Sequence, residues 1–195
     1  ITINLRKDVF FHDGTSFNSN AIKFTFDRFK RIGTMNYILG NKIKSIETPS
    51  EFSVIINLNK PSSSINGLLT SVNLTPISPT FYKEYSDKFL NDKFVGTGKY
   101  VLTSFSNEVQ TIDPYLNYWG EKPLNEGINF VGYSNSSSLF GALKSKQIDV
   151  LLSNSIDDSQ RKSLNNLSKN KKFKEGNSPF TELSFISLKT SSYPF

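Results

Sequence analysis

Residues 9 to 20 read VFFHDGTSFNSN and hold the only histidine of the chain, His12, with Asp13 directly after it. A histidine beside an aspartate can be a pair of metal ligands, or a base with the carboxylate that orients it. A metal phosphohydrolase built on such a pair needs further histidines to complete its ligand set, and the sequence has none. A hydrolase with His12 as base also needs an activated nucleophile nearby in space, which nothing in the sequence supports. The competing reading is local. Asp13-Gly14 is a turn signal between a strand and a capped helix. The turn is the preferred reading, and a hydrolase using His12 and Asp13 stands as the alternative from another functional class.

Two other stretches invite chemistry. Gly96-Thr97-Gly98-Lys99 suggests a phosphate loop, which requires G-x-x-x-x-G-K-[ST]. The first glycine would have to be at position 93, which is Lys93, and the last residue would be Tyr100. The match fails at both ends. Gly96 and Gly98 are read instead as hinge or turn positions, because glycine takes backbone angles that other residues resist. Asp157-Asp158 is a carboxylate pair at a helix start, where acids complement the helix dipole, so capping is preferred to general acid-base work. Cysteine is absent. Disulfides, thiolate nucleophiles and cysteine metal sites are thereby excluded, and with one histidine neither a metal site nor a cofactor is expected.

The elements that must position these residues are legible in the pattern. Residues 2 to 6, and a shorter stretch at 9 to 11, read as strand. Asn18 can cap a helix from Ser19 to about Arg31, with Ile22, Thr25, Phe26 and Phe29 on one face and Gly33 at its end. IKSIETPSEFSVIINLNKP reads as strand, Pro-Ser turn, strand, and SSSINGLL as a short helix. Ser78 and Pro79 open another helix. Strands are expected near residues 99 to 105, 109 to 113 and 127 to 132. A helix at SSSLFGALKSK should turn Leu139, Ala142 and Leu143 inward. A short buried strand is expected at QIDVLLS, a helix capped near Asp157, and a last strand at TELSFISLK. The second region is therefore β-β-β-α-β-α-β, and the seam between two structural units is placed at residues 94 to 98.

Composition bounds the rest. The chain has 195 residues, 36% hydrophobic, with a net charge of +6. That is a soluble globular composition, and no apolar run approaches the ~20 residues needed to span a bilayer. The basic residues are scattered. The densest run, KNKKFK at 169 to 174, has one aromatic and no stacking platform, so it is read as a solvated face and no nucleic acid partner is expected. The chain opens inside a strand pattern without a leader segment and stops at SSYPF, so a piece of a longer protein is expected.

Six stretches, taken together and in order, resemble one family. INLRKDVFFHDGTSFNSNAIKFTFDR, residues 3 to 28, is similar to the pattern FxLRxxVxFxDGxxFNAxDVxFxFxR. The other five are IETPSEFSVIINLNKP (46 to 61), FVGTGKYVL (94 to 102), YLNYWGEKPLNEGINF (115 to 130), ALKSKQID (142 to 149) and SLKTSSYPF (187 to 195). The family is the family 5 extracellular solute-binding proteins, the dipeptide-, oligopeptide- and nickel-binding components of ABC importers. Departures fall on scaffold positions. Ala21 stands where a helix-start acid is expected, Phe94 and Lys99 replace prolines, and Lys146 replaces the glycine after a helix, which should leave left-handed strain or a rearranged cap there.

The resemblance implies an α/β, periplasmic-binding-protein-like fold (type II, cluster C-like) with mixed sheets, of which this chain is part of the first lobe. It implies a scaffold subdomain at residues 1 to 94 and the central part of the ligand-contacting subdomain at 95 to 195, with the second lobe and an N-terminal segment absent. It implies a substrate-binding component of an ABC importer that takes di- or oligopeptides in an interlobe cleft, with chelated nickel or haem as the alternative ligand. The partners implied are a peptide and the permease in the cytoplasmic membrane. The location implied is periplasmic, or extracytoplasmic as a membrane-anchored lipoprotein. By the match at SSYPF, Phe180, Thr181, Glu182, Phe185 and Ser187 would line the cleft, with Phe185 as core left open beside that. Tyr37 is a further candidate, and Trp119 is read as packing.

Overall fold

Asn18 is where the chain turns from loop to helix. In a computed structural model of the protein its backbone is extended and its side-chain oxygen accepts from the amides of Asn20 and Ala21 at 3.1 and 3.3 Å. That satisfies two of the amides a helix start leaves without an internal partner. The structure describes residues 1–33, 36–39, 41–85, 92–152, 155–169, 173–174 and 176. Helix α1 (Ser19–Ile32) buries Ala21, Thr25, Phe26 and Phe29, close to the face expected from the 3.6-residue period. Thr25 is tolerated there because its hydroxyl donates to Ala21 O at 2.8 Å and accepts from the amide of Ile77 at 3.1 Å.

Helix α1 packs on a three-stranded antiparallel sheet of β1 (Thr2–Asn4), β2 (Ile43–Ser50) and β3 (Ser53–Leu58), ordered β1-β3-β2. The central strand carries the most apolar positions. Val54 and Ile56 are fully buried and join Phe26, Phe29, Ile43 and Leu74 in one core. Each such side chain contributes about 1.5–3 kcal/mol by burial. The Pro-Ser turn expected between β2 and β3 comes two residues later, at Glu51-Phe52. Pro49 stays in the strand because β2 is an edge and the ladder is irregular between Glu47 and Ser50, where a missing amide costs little. Short helices α2 (Asn36–Leu39), α3 (Ile65–Leu69) and α4 (Pro79–Tyr82) follow, α4 with Ser78 as its cap and Pro79 in its first turn.

A second antiparallel sheet, β4 (Tyr100–Phe105), β5 (Val109–Pro114) and β6 (Ile128–Val131), runs in sequence order. The mixed sheets expected are, among the described residues, two antiparallel ones. The chain divides into two compact units, Ile1–Gly132 and Tyr133–Phe195. The expected seam near 94 to 98 lies inside the first of these units.

In the second unit, α5 (Ser136–Lys144) is capped by Asn135, buries Ala142 and Leu143, and leaves Leu139 half-buried. Helix α6 (Asp158–Lys169) starts as expected at Asp157. The Asp157 carboxylate accepts from the amide of Gln160 at 2.8 Å, and the Gln160 side chain accepts from the amide of Asp157 at 3.1 Å, a reciprocal cap. Residues 147–152 are irregular, with Val150 and Leu152 exposed, where a buried strand was expected. No strand among the described residues of this unit offers them a ladder, and an apolar run without a partner does not hold β structure. The last expected strand, TELSFISLK, lies outside the described residues.

The end of α5 bears out the strain expected from Lys146. The amide of Gln147 donates to Ala142 O at 2.9 Å, and that of Lys146 to Leu143 O at 3.1 Å. This pair closes the helix only if Lys146 takes a left-handed backbone, and its φ is 62°. Lys146→Gly is therefore expected to stabilise the fold by about 1 kcal/mol, since a left-handed conformation costs a residue with a β-carbon that much. Thermal denaturation of the variant beside the parent checks it, and a melting point unchanged or lowered contradicts it.

Candidate functional site

His12 and Asp13 face different partners. The turn that holds them closes with Gly14 N to Phe11 O at 2.9 Å and Phe11 N to Thr15 O at 2.8 Å. Gly14 has φ 81°, a left-handed position. The carboxylate of Asp13 accepts from the Ser78 hydroxyl, from the Thr15 hydroxyl at 2.6 Å and from the Thr15 amide at 3.0 Å. Burial opposes ionisation of Asp13, but the hydrogen bonds from Ser78 and Thr15 outweigh it and hold the carboxyl below its ordinary value. The imidazole of His12 points elsewhere, with Nε2 at 2.9 Å from Gly98 O and its ring edge-on to Tyr115 at 4.9 Å.

This geometry joins a serine and an aspartate directly and leaves the histidine on a backbone carbonyl. A relay needs the histidine between nucleophile and carboxylate, and here the Ser78 hydroxyl donates directly to the Asp13 carboxylate. Among the described residues, no group of three histidine, aspartate or glutamate side chains is arranged to hold a metal ion. The pair expected to be a turn is thus a fastening between distant segments.

Gly96 and Gly98 differ from expectation. Neither has a left-handed φ, and a β-carbon added to either meets nothing closer than 4.0 Å. Their carbonyls are acceptors, from His12 N at 2.9 Å and His12 Nε2 at 2.9 Å. Gly98→Ala is therefore expected to be neutral or to stabilise by up to about 1 kcal/mol through the unfolded chain. Gly14→Ala is expected to cost about 1–2 kcal/mol, because there the backbone is left-handed. The two melting curves side by side decide it, and equal losses would contradict the account.

Tyr37 stands on α2 with 70% of its surface exposed, so it is presented to solvent and not packed. Phe180, Thr181, Glu182, Phe185 and Ser187 lie outside the described residues. A cavity of about 350 Å³ opens between α1 and residues 72–77, lined mainly by apolar groups such as Phe29, Ile32, Val72 and Phe94, and Tyr37 is not part of its lining. Trp119 donates from Nε1 to Thr97 O at 3.2 Å, under the Arg6 guanidinium at 4.4 Å from its ring. Sequence reasoning missed the double part of Ser78, which caps α4 by accepting from Phe81 N and also donates to Asp13. It also missed Tyr115, whose hydroxyl donates to Phe11 O at 3.0 Å. The signal available was the co-occurrence of HDG, GTG and NYW in one chain.

All of residues 1–195 match the model of the bacterial extracellular solute-binding proteins, family 5 Middle. The chain is 25% identical over 198 residues to the probable D,D-dipeptide-binding periplasmic protein DdpA of Escherichia coli (strain K12), covering 99% of this chain and 37% of that protein. It is 31% identical over 121 residues to the glutathione-binding protein GsiB of Shigella flexneri, covering 60% of this chain and 23% of that one. The chain thus spans about a quarter to a third of the length of these curated relatives. Among solved structures, NikZ from Campylobacter jejuni in complex with Ni(L-His) is similar with a TM-score of 0.74 and 25% identity, over 88% of this chain and 34% of that one. With the same periplasmic-binding-protein-like architecture and a family match along its whole length, the chain belongs to the family 5 bacterial extracellular solute-binding proteins.

Proposed function

We propose that the full-length protein is the substrate-binding component of an ABC importer and that its ligand is a peptide held in a cleft between two lobes. The observation that carries the reading is the family match over residues 1–195, together with two relatives named for peptide ligands, a D,D-dipeptide and glutathione. In this reading residues 1 to 94 form the scaffold subdomain, and residues 95 to 195 are the central part of the subdomain that meets the ligand. Phe180, Thr181, Glu182, Phe185 and Ser187 line the cleft from one side, with Tyr37 near its mouth. Exposed aromatics on a strand can sandwich the ligand chain while backbone groups bond its peptide units. No covalent step is required; recognition and closure of the lobes are the mechanism. The partner is the permease in the cytoplasmic membrane. The protein works outside that membrane, free in the periplasm or anchored as a lipoprotein.

A second reading keeps the scaffold and takes chelated nickel, and the neighbour solved with Ni(L-His) favours it. A thermal-shift comparison of the full-length protein separates the two. Glutathione and a pool of dipeptides are expected to raise the melting temperature, with about 2.7 kcal/mol of added stability when a ligand stands at a hundred times its Kd. A rise with nickel plus L-histidine and none with any peptide would overturn the peptide reading in favour of the second.

A further inference from the structure

We infer that residues 95–99 are a locked joint and not a hinge, and that His12 is the positioning residue that locks it. Five consecutive carbonyls in this strap are each held by a separate donor. Val95 O accepts from Ser78 N at 3.3 Å, Gly96 O from His12 N at 2.9 Å and Thr97 O from Trp119 Nε1 at 3.2 Å. Gly98 O accepts from His12 Nε2 at 2.9 Å, and Lys99 O from Tyr115 N at 2.8 Å. The donors come from three distant parts of the chain: the 9–16 turn, the cap of α4 and the 115–119 segment. Among them His12 alone supplies two, one from its backbone and one from its ring.

The chemistry of the ring fits this task. A carbonyl oxygen only accepts, so Nε2 must carry a hydrogen. Nδ1 is enclosed without a hydrogen-bond partner. The ring also braces Tyr115, whose amide holds Lys99 O and whose hydroxyl holds Phe11 O. The Lys99 end of the strap is thereby fastened to the turn that carries His12, and the Val95 end is fastened to it through Ser78, whose amide holds Val95 O and whose hydroxyl donates to Asp13. A hinge absorbs large changes in φ and ψ, and five fastened carbonyls resist them. The β1-β3-β2 and β4-β5-β6 sheets then move as one body, and closure on a solute takes place elsewhere in the full-length protein. This last consequence rests on the proposed binding function; the lock itself does not. His12 acts on binding through geometry and touches no ligand.

Hydrogen exchange of the full-length protein, with and without glutathione and a dipeptide pool, tests it. The amides of His12, Ser78 and Tyr115 are expected to exchange slowly and to change less than threefold when the peptides are added. His12→Ala should speed exchange at Ser78 and Tyr115, whose bonds it does not itself make, by more than threefold. His12→Gln, whose side-chain amide can donate to Gly98 O, should restore both and leave affinity for a bound peptide unchanged. Trp119→Phe keeps an aromatic ring and removes one donor, so it reads the lock if the alanine variant fails to fold, and it too should speed exchange at Tyr115 by more than threefold. Protection of these amides by peptide of more than threefold would make the strap a hinge and overturn the inference. So would exchange at Ser78 and Tyr115 that stays within threefold in a folded alanine variant, or a glutamine variant that fails to restore it. If no peptide binds, the proposed function fails while the variant arms still decide the lock.

Discussion

Phe11→Ala is expected to destabilise the chain by about 3–5 kcal/mol, the range for removing a large aromatic side chain from a core. Phe11 is fully buried and meets Phe17 edge-on at 6.0 Å. Its backbone is as heavily used as its ring. The amide donates to Thr15 O, and the carbonyl accepts from the amide of Gly14 and from the Tyr115 hydroxyl. Loss of the ring therefore empties a space directly beneath the turn that carries His12 and Asp13. For a chain of 195 residues that loss lowers the melting point by about 6–20 °C. Urea unfolding followed by the fluorescence of Trp119, the single tryptophan of the chain, measures it. Phe11→Leu, which keeps most of the volume, should lose much less. Equal, small losses in both variants would mean that the turn does not rest on this side chain.

Asp13 and Ser78 form the second strong dependence. Ser78 is fully buried, and a hydrogen bond to a charged partner contributes about 1.5–3 kcal/mol. Ser78→Ala and Asp13→Asn should each destabilise by about that much, and the double variant by clearly less than their sum, because one shared bond is being removed. The pH dependence has a definite sign. The folded carboxyl titrates below its ordinary value of 3.8, so its stabilisation is fully present above about that pH and drains away as pH falls through the lowered folded value. The Asp13→Asn variant should lack this acid-dependent loss. Additive single effects, or parallel stability curves for parent and variant below pH 4, would contradict the coupling.

Local rules placed most elements correctly. The Asn18 and Asp157 caps, the amphipathic face of α1 and the strands of the second sheet depend on side chains near in sequence, which pattern reasoning sees directly. The strain at Lys146 was legible for the same reason, as a position asking for glycine and given lysine. What failed depends on partners far along the chain. The stretch at 147–152 has strand-like residues but no described neighbour to pair with. Gly96 and Gly98 looked like hinge glycines, yet donors as distant as His12, Ser78 and Tyr115 fix the segment they sit in. The Asp13-Gly14 turn was legible in the sequence, but the reach of His12 and Asp13 across the fold was visible only in three dimensions. Of the expected ligand residues only Tyr37 falls among those the structure describes, and it is exposed.

The central proposal is that the protein binds a peptide without transforming it. Isothermal titration calorimetry of the full-length protein with glutathione and a panel of dipeptides tests that most directly. The expected result is saturable one-to-one binding of at least one peptide, with a negative heat-capacity change as apolar surface is buried, and with the peptide recovered chemically intact afterwards. Absence of heat with every peptide, or recovery of a cleaved one, would contradict it.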